Sequence, residues 1–192
     1  MPVKLNGATS GSVTIDVPAV AGTNTQTLVA ATGTLAPLIS GTAQASTSGT
    51  SIDFTGIPSW VKRITVMVQG LSFAGASGQA RVQIGTGGVL ATTGYASDNM
   101  NVSGANTCSV GGFTNGLAVF NSNLAADTMW GVTTITNVSG NTWIATFNAS
   151  RSDNASARSG TGFIALGGVL DIVSVVATTG AFDAGTINIL YE

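Results

Sequence analysis

SIDFTGIPSWVKRITVMV, residues 51–68, decides the fold class of this 192-residue chain. Within it Ile64, Val66 and Val68 alternate with Thr65, Met67 and, one step on, Gln69. A period of two marks a strand with one face toward a core. The stretch also opens with Pro58 and Trp60, which suit a rigid entry to that strand and packing beneath a sheet. Upstream lies SGTAQASTSGT, residues 40–50, with the composition of a flexible linker. The stretch therefore marks where a thin leader gives way to a folded head.

Downstream, strand-like segments recur at the short spacing of a sandwich or barrel. They cover residues 52–55, 63–71, 80–86, 94–102, 112–120, 129–138, 142–149, 162–166, 170–178 and 186–191. Turn signals stand between them, such as Gly87-Gly88 and Ser139-Gly140-Asn141. Trp143, Ala145 and Phe147 alternate with Thr142, Ile144 and Thr146, a second inward face. No segment of helix length has a period near 3.6. The expectation is an all-β chain: a jelly-roll-like antiparallel β-sandwich over 51–192, a linker over 40–50, and an extended N-terminal arm over 1–39.

In the arm, Val13, Ile15 and Val17 alternate with polar residues until Pro18 ends the run, which makes them candidate anchoring residues. A second patch covers Thr25–Ala31. Such ribbons are marginal alone in water, so their partners are expected outside the arm. The head, sister subunits or a larger assembly would serve, and the last two are favoured over a plain disordered tail. Several head strands, among them 170–176 and 187–191, are apolar or neutral on both faces. That pattern predicts a homo-oligomer whose subunit contacts cover them.

Composition narrows the chemistry. Only 7% of residues are charged, and the net charge is −2; an ordinary soluble chain carries about 25% charged residues. Six basic residues with a single adjacent pair, Lys62-Arg63, give no footprint for nucleic acid. The most apolar region, 162–177, is broken by Gly167, Gly168 and Asp171, so it reads as two strands and a turn rather than a membrane span. The first 20 residues lack a signal-peptide order, which predicts synthesis in the cytoplasm. The single cysteine, Cys108, reads as a buried thiol, with an intermolecular bridge or a reactive thiol as the sharper alternative.

Candidate catalysts are scarce. The chain has no histidine, which removes Ser-His-Asp and Cys-His nucleophiles and histidine metal sites. Gly85-Thr86-Gly87-Gly88 lacks the Gly-Lys-Ser/Thr ending of a phosphate loop and reads as a hairpin turn. A pair of carboxylates is all a glycosidase needs, so a glycan depolymerase stays as a remote alternative. The head's acids are spread and sit beside turn residues, where Asp bonds to nearby backbone amides. The expectation is no enzyme, no cofactor and no metal; calcium on Asp153 and Asn154 lacks any EF-hand spacing.

Two segments are candidate contact loops. ASRSDNASARSGT, residues 149–161, carries Arg151, Asp153, Asn154 and Arg158 between apolar strands. NSNLAAD, residues 121–127, carries Asn121 and Asn123 and leads to Trp130. Loops on rigid β scaffolds often carry recognition, although a solvated loop is the plain reading. Trp130 suits stacking on a sugar ring or a protein interface, or simple packing at the rim.

Two blocks resemble proteins of tailed-bacteriophage particles. GSVTIDVPAVAGTNTQTLVAATGTL, residues 11–35, resembles a segment near the N-termini of fibre and virion proteins. FTGIPSWVKRITVM (54–67), Gln83-Ile84-Gly85, Thr93-Gly94-Tyr95 and FDAGTINILYE (182–192) resemble a set of phage and prophage heads. Residues 96–160 match only loosely. The resemblance implies a virion structural protein made in the host cytoplasm, a homotrimer with the leader as attachment arm and the head as displayed knob. Its implied partners are other tail or capsid proteins and a host-surface glycan or protein. Two roles follow: a tail-fibre, receptor-binding knob, or a capsid decoration or head-fibre protein anchored to coat subunits.

Overall fold

The computed structural model describes residues 3–6, 8–15, 36–104, 107–152 and 156–192. The chain divides into two compact units, Met1–Leu35 and Ala36–Glu192. The boundary thus falls before residue 36 rather than after residue 39.

In the first unit, β1 (Val3–Asn6) and β2 (Ser12–Ile15) form an antiparallel hairpin, pairing Leu5 with Val13 and Val3 with Ile15. The Val13–Ile15 ribbon therefore has a partner inside its own unit, which corrects the expectation of a partner elsewhere. Val13 and Ile15 lie on β2; Val17 and the Thr25–Ala31 patch lie outside the described residues.

The second unit is all-β and antiparallel. Its strands are β3 (Ile39–Ser40), β4 (Gln44–Ala45), β5 (Ser51–Thr55), β6 (Arg63–Phe73), β7 (Gln79–Thr86), β8 (Val89–Leu90) and β9 (Ala96–Val102). They continue with β10 (Cys108–Phe113), β11 (Ala118–Asn121), β12 (Met129–Ser139), β13 (Thr142–Arg151), β14 (Ser156–Ala165), β15 (Leu170–Thr179) and β16 (Phe182–Tyr191). A larger sheet has the order β10-β9-β14-β13-β12-β6-β16-β3, with β4 also on β16. A smaller sheet has the order β11-β7-β15-β5, with β8 on β7. Both sheets are antiparallel, and consecutive strands β12, β13 and β14 form a meander within the larger one.

The core follows from the alternation. Ile64, Val66 and Val68 on β6, and Trp143, Ala145 and Phe147 on β13, are all buried on one face of the larger sheet. Ile52, Phe54, Val82, Ile84, Val173 and Val175 face them from the smaller one, in a single hydrophobic cluster. β15 is covered on both faces within this unit: Ile172 is 4% exposed and Ser174 1%. Its two-sided apolar pattern therefore does not leave the bare surface expected of it.

Residues 40–50 form no free linker. Gly41 N donates to Ile189 O at 2.8 Å and Ser46 N to Gly185 O at 3.0 Å, which lays β3 and β4 along β16. Ser46 is fully buried, with its hydroxyl on Ala184 O at 3.0 Å. The small side chains that suggest a linker also let a backbone lie close to a sheet edge. There the ladder hydrogen bonds, not apolar bulk, hold it.

Tyr95, 3% exposed, ties the strands at the other side of the core. Its hydroxyl accepts from Ile84 N and donates to Ile84 O, each at 3.0 Å. Tyr95→Phe removes the Tyr95 partner of Ile84 N, while Ile84 O keeps the Ala91 N donor at 3.0 Å, and should cost about 1–3 kcal/mol in urea unfolding. Burial pushes the phenol up to about 12, opposed by the Ile84 hydrogen bond. Because the folded value lies above the unfolded value of 10.0, this contribution is complete below pH 10 and is lost as pH rises toward 12. The alkaline loss of stability measured for the native chain should be absent from Tyr95→Phe.

Candidate binding surface

The outer face of the larger sheet is the most distinctive surface of the head. Register partners place Val110, Met100, Ser159, Asn148, Val132, Met67 and Asn188 in one row across seven strands, β10 to β16. At the usual strand spacing of about 4.8 Å that row is about 29 Å long. A parallel row holds four threonines, Thr161, Thr146, Thr134 and Thr65. On the other side run Val102, Ala157, Ser150 and Trp130.

The face is grooved. A hollow of about 620 Å³ lies over β10, β9 and β14, between Asp98, Met100, Val110 and Thr161. A second, of about 310 Å³, shares Met100 and Ser159 with it and reaches Trp130 and Val132. A third, of about 440 Å³, shares Trp130 and Val132 and ends at Met67, Gln69, Thr186 and Asn188.

The curvature has a local cause. Opposite Trp130, β6 carries an extra residue: Met129 pairs with Leu71 and Gly131 with Val68. Gly70 takes φ 65° there, and its neighbour across β16, Gly185, takes φ 115°. Both angles are strained for any other residue, and such a bulge bends a strand and re-aims the side chain beside it. Trp130 stands out at this bend, 46% exposed.

The surface is apolar and almost uncharged. Met100, Val102, Val110, Trp130, Val132, Ile144 and Phe163 are between 41% and 82% exposed. Asp98 is the only charged side chain lining the first hollow. Of the six basic residues Arg81 and Arg151 are buried, and Arg158, half-buried, is among the residues lining the second hollow. Arg81, 7% exposed, donates to Asn115 Oδ1 at 3.2 Å and lies 4.6 Å over the Phe113 ring. Burial, then the charge of Arg158, push its guanidinium down to about 10, so it stays charged at neutral pH. Arg158 is shifted down by burial and then by Arg151.

Arg151 and Arg158 were expected on contact loops. The polar segment 149–161 instead continues β13 and opens β14, and strand alternation turns Arg151 and Arg158 to the inner face. Arg151, 8% exposed, donates to Asn121 O at 3.3 Å and lies 3.9 Å from the Asp127 carboxylate. Asn121 ends β11, and Asn123 is exposed in a turn where its N–H bonds to Asp127 at 2.7 Å. Asp153 and Asn154 lie outside the described residues. Of the candidate contact residues, Trp130 lines the second and third hollows and Arg158 the second. Trp60, expected beneath the sheet, is 41% exposed and tilts against Tyr191 at 6.1 Å. Arg63 pairs with Glu192.

Cys108 is exposed, not buried, because its strand is the bare edge of the sheet. Cys108 to Gly112 are exposed at every position. Three acids of the head serve the fold: Asp127 accepts from Asn123 N and Leu124 N, Asp171 from Gly88 N, and Asp183 pairs with Ser72. Among the described residues no three acids, cysteines or histidines gather as a metal site, and no helix is long and apolar enough to cross a membrane. No protein-family model, no curated protein and no solved structure matches this chain.

Proposed function

We propose that this chain is a structural protein of a tailed-phage particle, a short oligomeric knob that binds the host surface. The observation that carries the reading is the mainly apolar groove across the outer face of the larger sheet, whose lining holds two charged residues, Asp98 and Arg158, beside hydroxyls, amides and one indole. Such a face recognises by shape and hydrogen bonding, which suits a binding module rather than a catalyst. The leader sequence at 11–35 and the FTGIPSWVKRITVM block add the resemblance to virion proteins.

The same features serve a capsid decoration protein, whose arm would lie on coat subunits. Particles assembled without this chain separate the two roles. A receptor-binding knob predicts intact particles that no longer adsorb to cells. A decoration protein predicts normal adsorption and capsids that open at lower temperature. Adsorption by the knob should also change little between low and high salt, because few charges face solvent. A steep salt dependence would count against this reading.

A further inference from the structure

One hollow of the head lies apart from the outer-face groove and shares no lining residue with it. It sits at the end of the sandwich where residues 56–62 carry the chain from the smaller sheet to the larger and residues 166–169 carry it back. Its volume is about 250 Å³, room for one small molecule and just under the roughly 300–1,000 Å³ of drug-sized sites. Backbone hydrogen bonds fix its frame. Val61 N donates to Pro58 O at 3.1 Å, Ile57 N to Asp171 O at 3.0 Å and Leu166 N to Asn141 O at 3.0 Å. Two donors in the lining have capacity to spare. Trp143 is 4% exposed, and its indole Nε1–H is buried without an acceptor. Such an orphaned donor is costly, and native folds leave few of them. Lys62 is exposed, with its ammonium 3.4 Å from Asn137 Oδ1 and no carboxylate partner among the described residues. An ammonium has three N–H donors, so two remain for an incoming group.

We propose that this hollow binds one acidic sugar of the hexuronate class. The sugar carboxylate meets Lys62, a ring or hydroxyl oxygen accepts from Trp143 Nε1–H, and the C–H face of the pyranose lies on Val61, Val169 and Leu170. Asn141, also in the lining, supplies an amide to the remaining hydroxyls. One lysine balances one negative charge, which favours a carboxylate over a phosphate dianion. A sugar ring has an apolar face and acceptors around its edge, and this lining has both kinds of wall. An aliphatic acid would answer Lys62 and leave the Trp143 donor orphaned; a neutral sugar would do the reverse. The site goes beyond the adsorption assigned to the groove, and with no shared residue it stands or falls separately.

Titration of the intact ¹⁵N-labelled chain with sodium glucuronate, followed by NMR, tests this. Three tryptophans give three indole N–H signals, and Trp60→Phe and Trp130→Phe, both at exposed positions, assign that of Trp143 by elimination. Glucuronate should move the Trp143 signal and leave that of Trp130 in place. The dissociation constant should be on the order of 1 mM, the usual return on a ligand of about a dozen heavy atoms. Lys62→Met should weaken binding on the order of 10–100-fold with circular dichroism unchanged, the loss of a charged hydrogen bond. Glucose, which lacks the carboxylate, and butyrate, which lacks the hydroxyls, should each bind about 10-fold more weakly or worse. A Trp143 signal that stays still at saturating glucuronate, or full affinity in Lys62→Met, would overturn the proposal. So would glucose or butyrate binding as tightly as glucuronate. A shift confined to Trp130 would refute this site and put the sugar in the outer-face groove. Loss of adsorption by particles lacking the chain, with no glucuronate binding here, would leave the knob reading standing without this site.

Discussion

Phe73→Ala should lower the free energy of unfolding by about 3–5 kcal/mol. Phe73 is fully buried at the end of β6, and its ring lies 5.6 Å from that of Phe182, tilted by 37°. The two residues are also register partners, so they clamp the first turn of β16 onto β6. Truncation removes a large apolar surface and leaves a cavity that the surrounding strands cannot collapse into. Against a typical total of about 5–15 kcal/mol, the loss is a large fraction of stability. A urea titration followed by tryptophan fluorescence reads it directly. In a double-mutant cycle with Phe182→Ala, the pair should show a coupling of about 0.5–1.5 kcal/mol. A loss below about 1 kcal/mol would mean that this end of the sandwich is not packed as described.

Gly160→Val should be nearly as damaging, by a different route. Gly160 lies within β14, where a β carbon would collide with the backbone carbonyl of Asp98 on β9 and with the Phe147 ring. Glycine inside a strand marks such a close approach of another backbone. A branched side chain must push β9 away from β14, and β10 depends on β9 alone for its place in the sheet. The expected cost is about 3 kcal/mol. Hydrogen exchange should show the amides of residues 96–102 and 108–113 opening well before those of β12 and β13. Uniform loss of protection across the sheet would contradict this account.

The strands most readable from the sequence are those with a clean period of two. β6 and β13 come within two residues of their expected bounds, because each sets one apolar row against a core. The segment expected at 112–120 is two strands, β10 and β11, joined by a turn that crosses from one sheet to the other. Its glycines and small residues hide that break. The polar opening of β14, SARSGT, reads as loop because its inward positions are Arg158 and Gly160, not the usual Val or Ile. Arg158 is only half-buried there, at the wall of the second hollow, which no local pattern reveals.

The candidate site was visible only in part. Trp130 stands out in the sequence as an aromatic beside a polar loop, and it does line the groove. The remaining floor, Met100, Ser159, Asn148 and Met67, comes from four strands whose adjacency is long-range. No periodicity in one segment reveals such a row. The signal that was available is the excess of apolar residues at outward positions, such as Val132 against Thr133 and Ile144 against Ala145. It pointed to a covered face without naming which one.

The most direct test of the account is the place of this chain in phage particles purified from a lysate that encodes it. Quantitative mass spectrometry and gold-labelled antibody to the head should find it there, projecting at discrete sites, in tens of copies if it belongs to the tail and on the order of a hundred or more if it decorates the capsid. Particles free of the chain, with all of it left in the soluble lysate, would contradict the account.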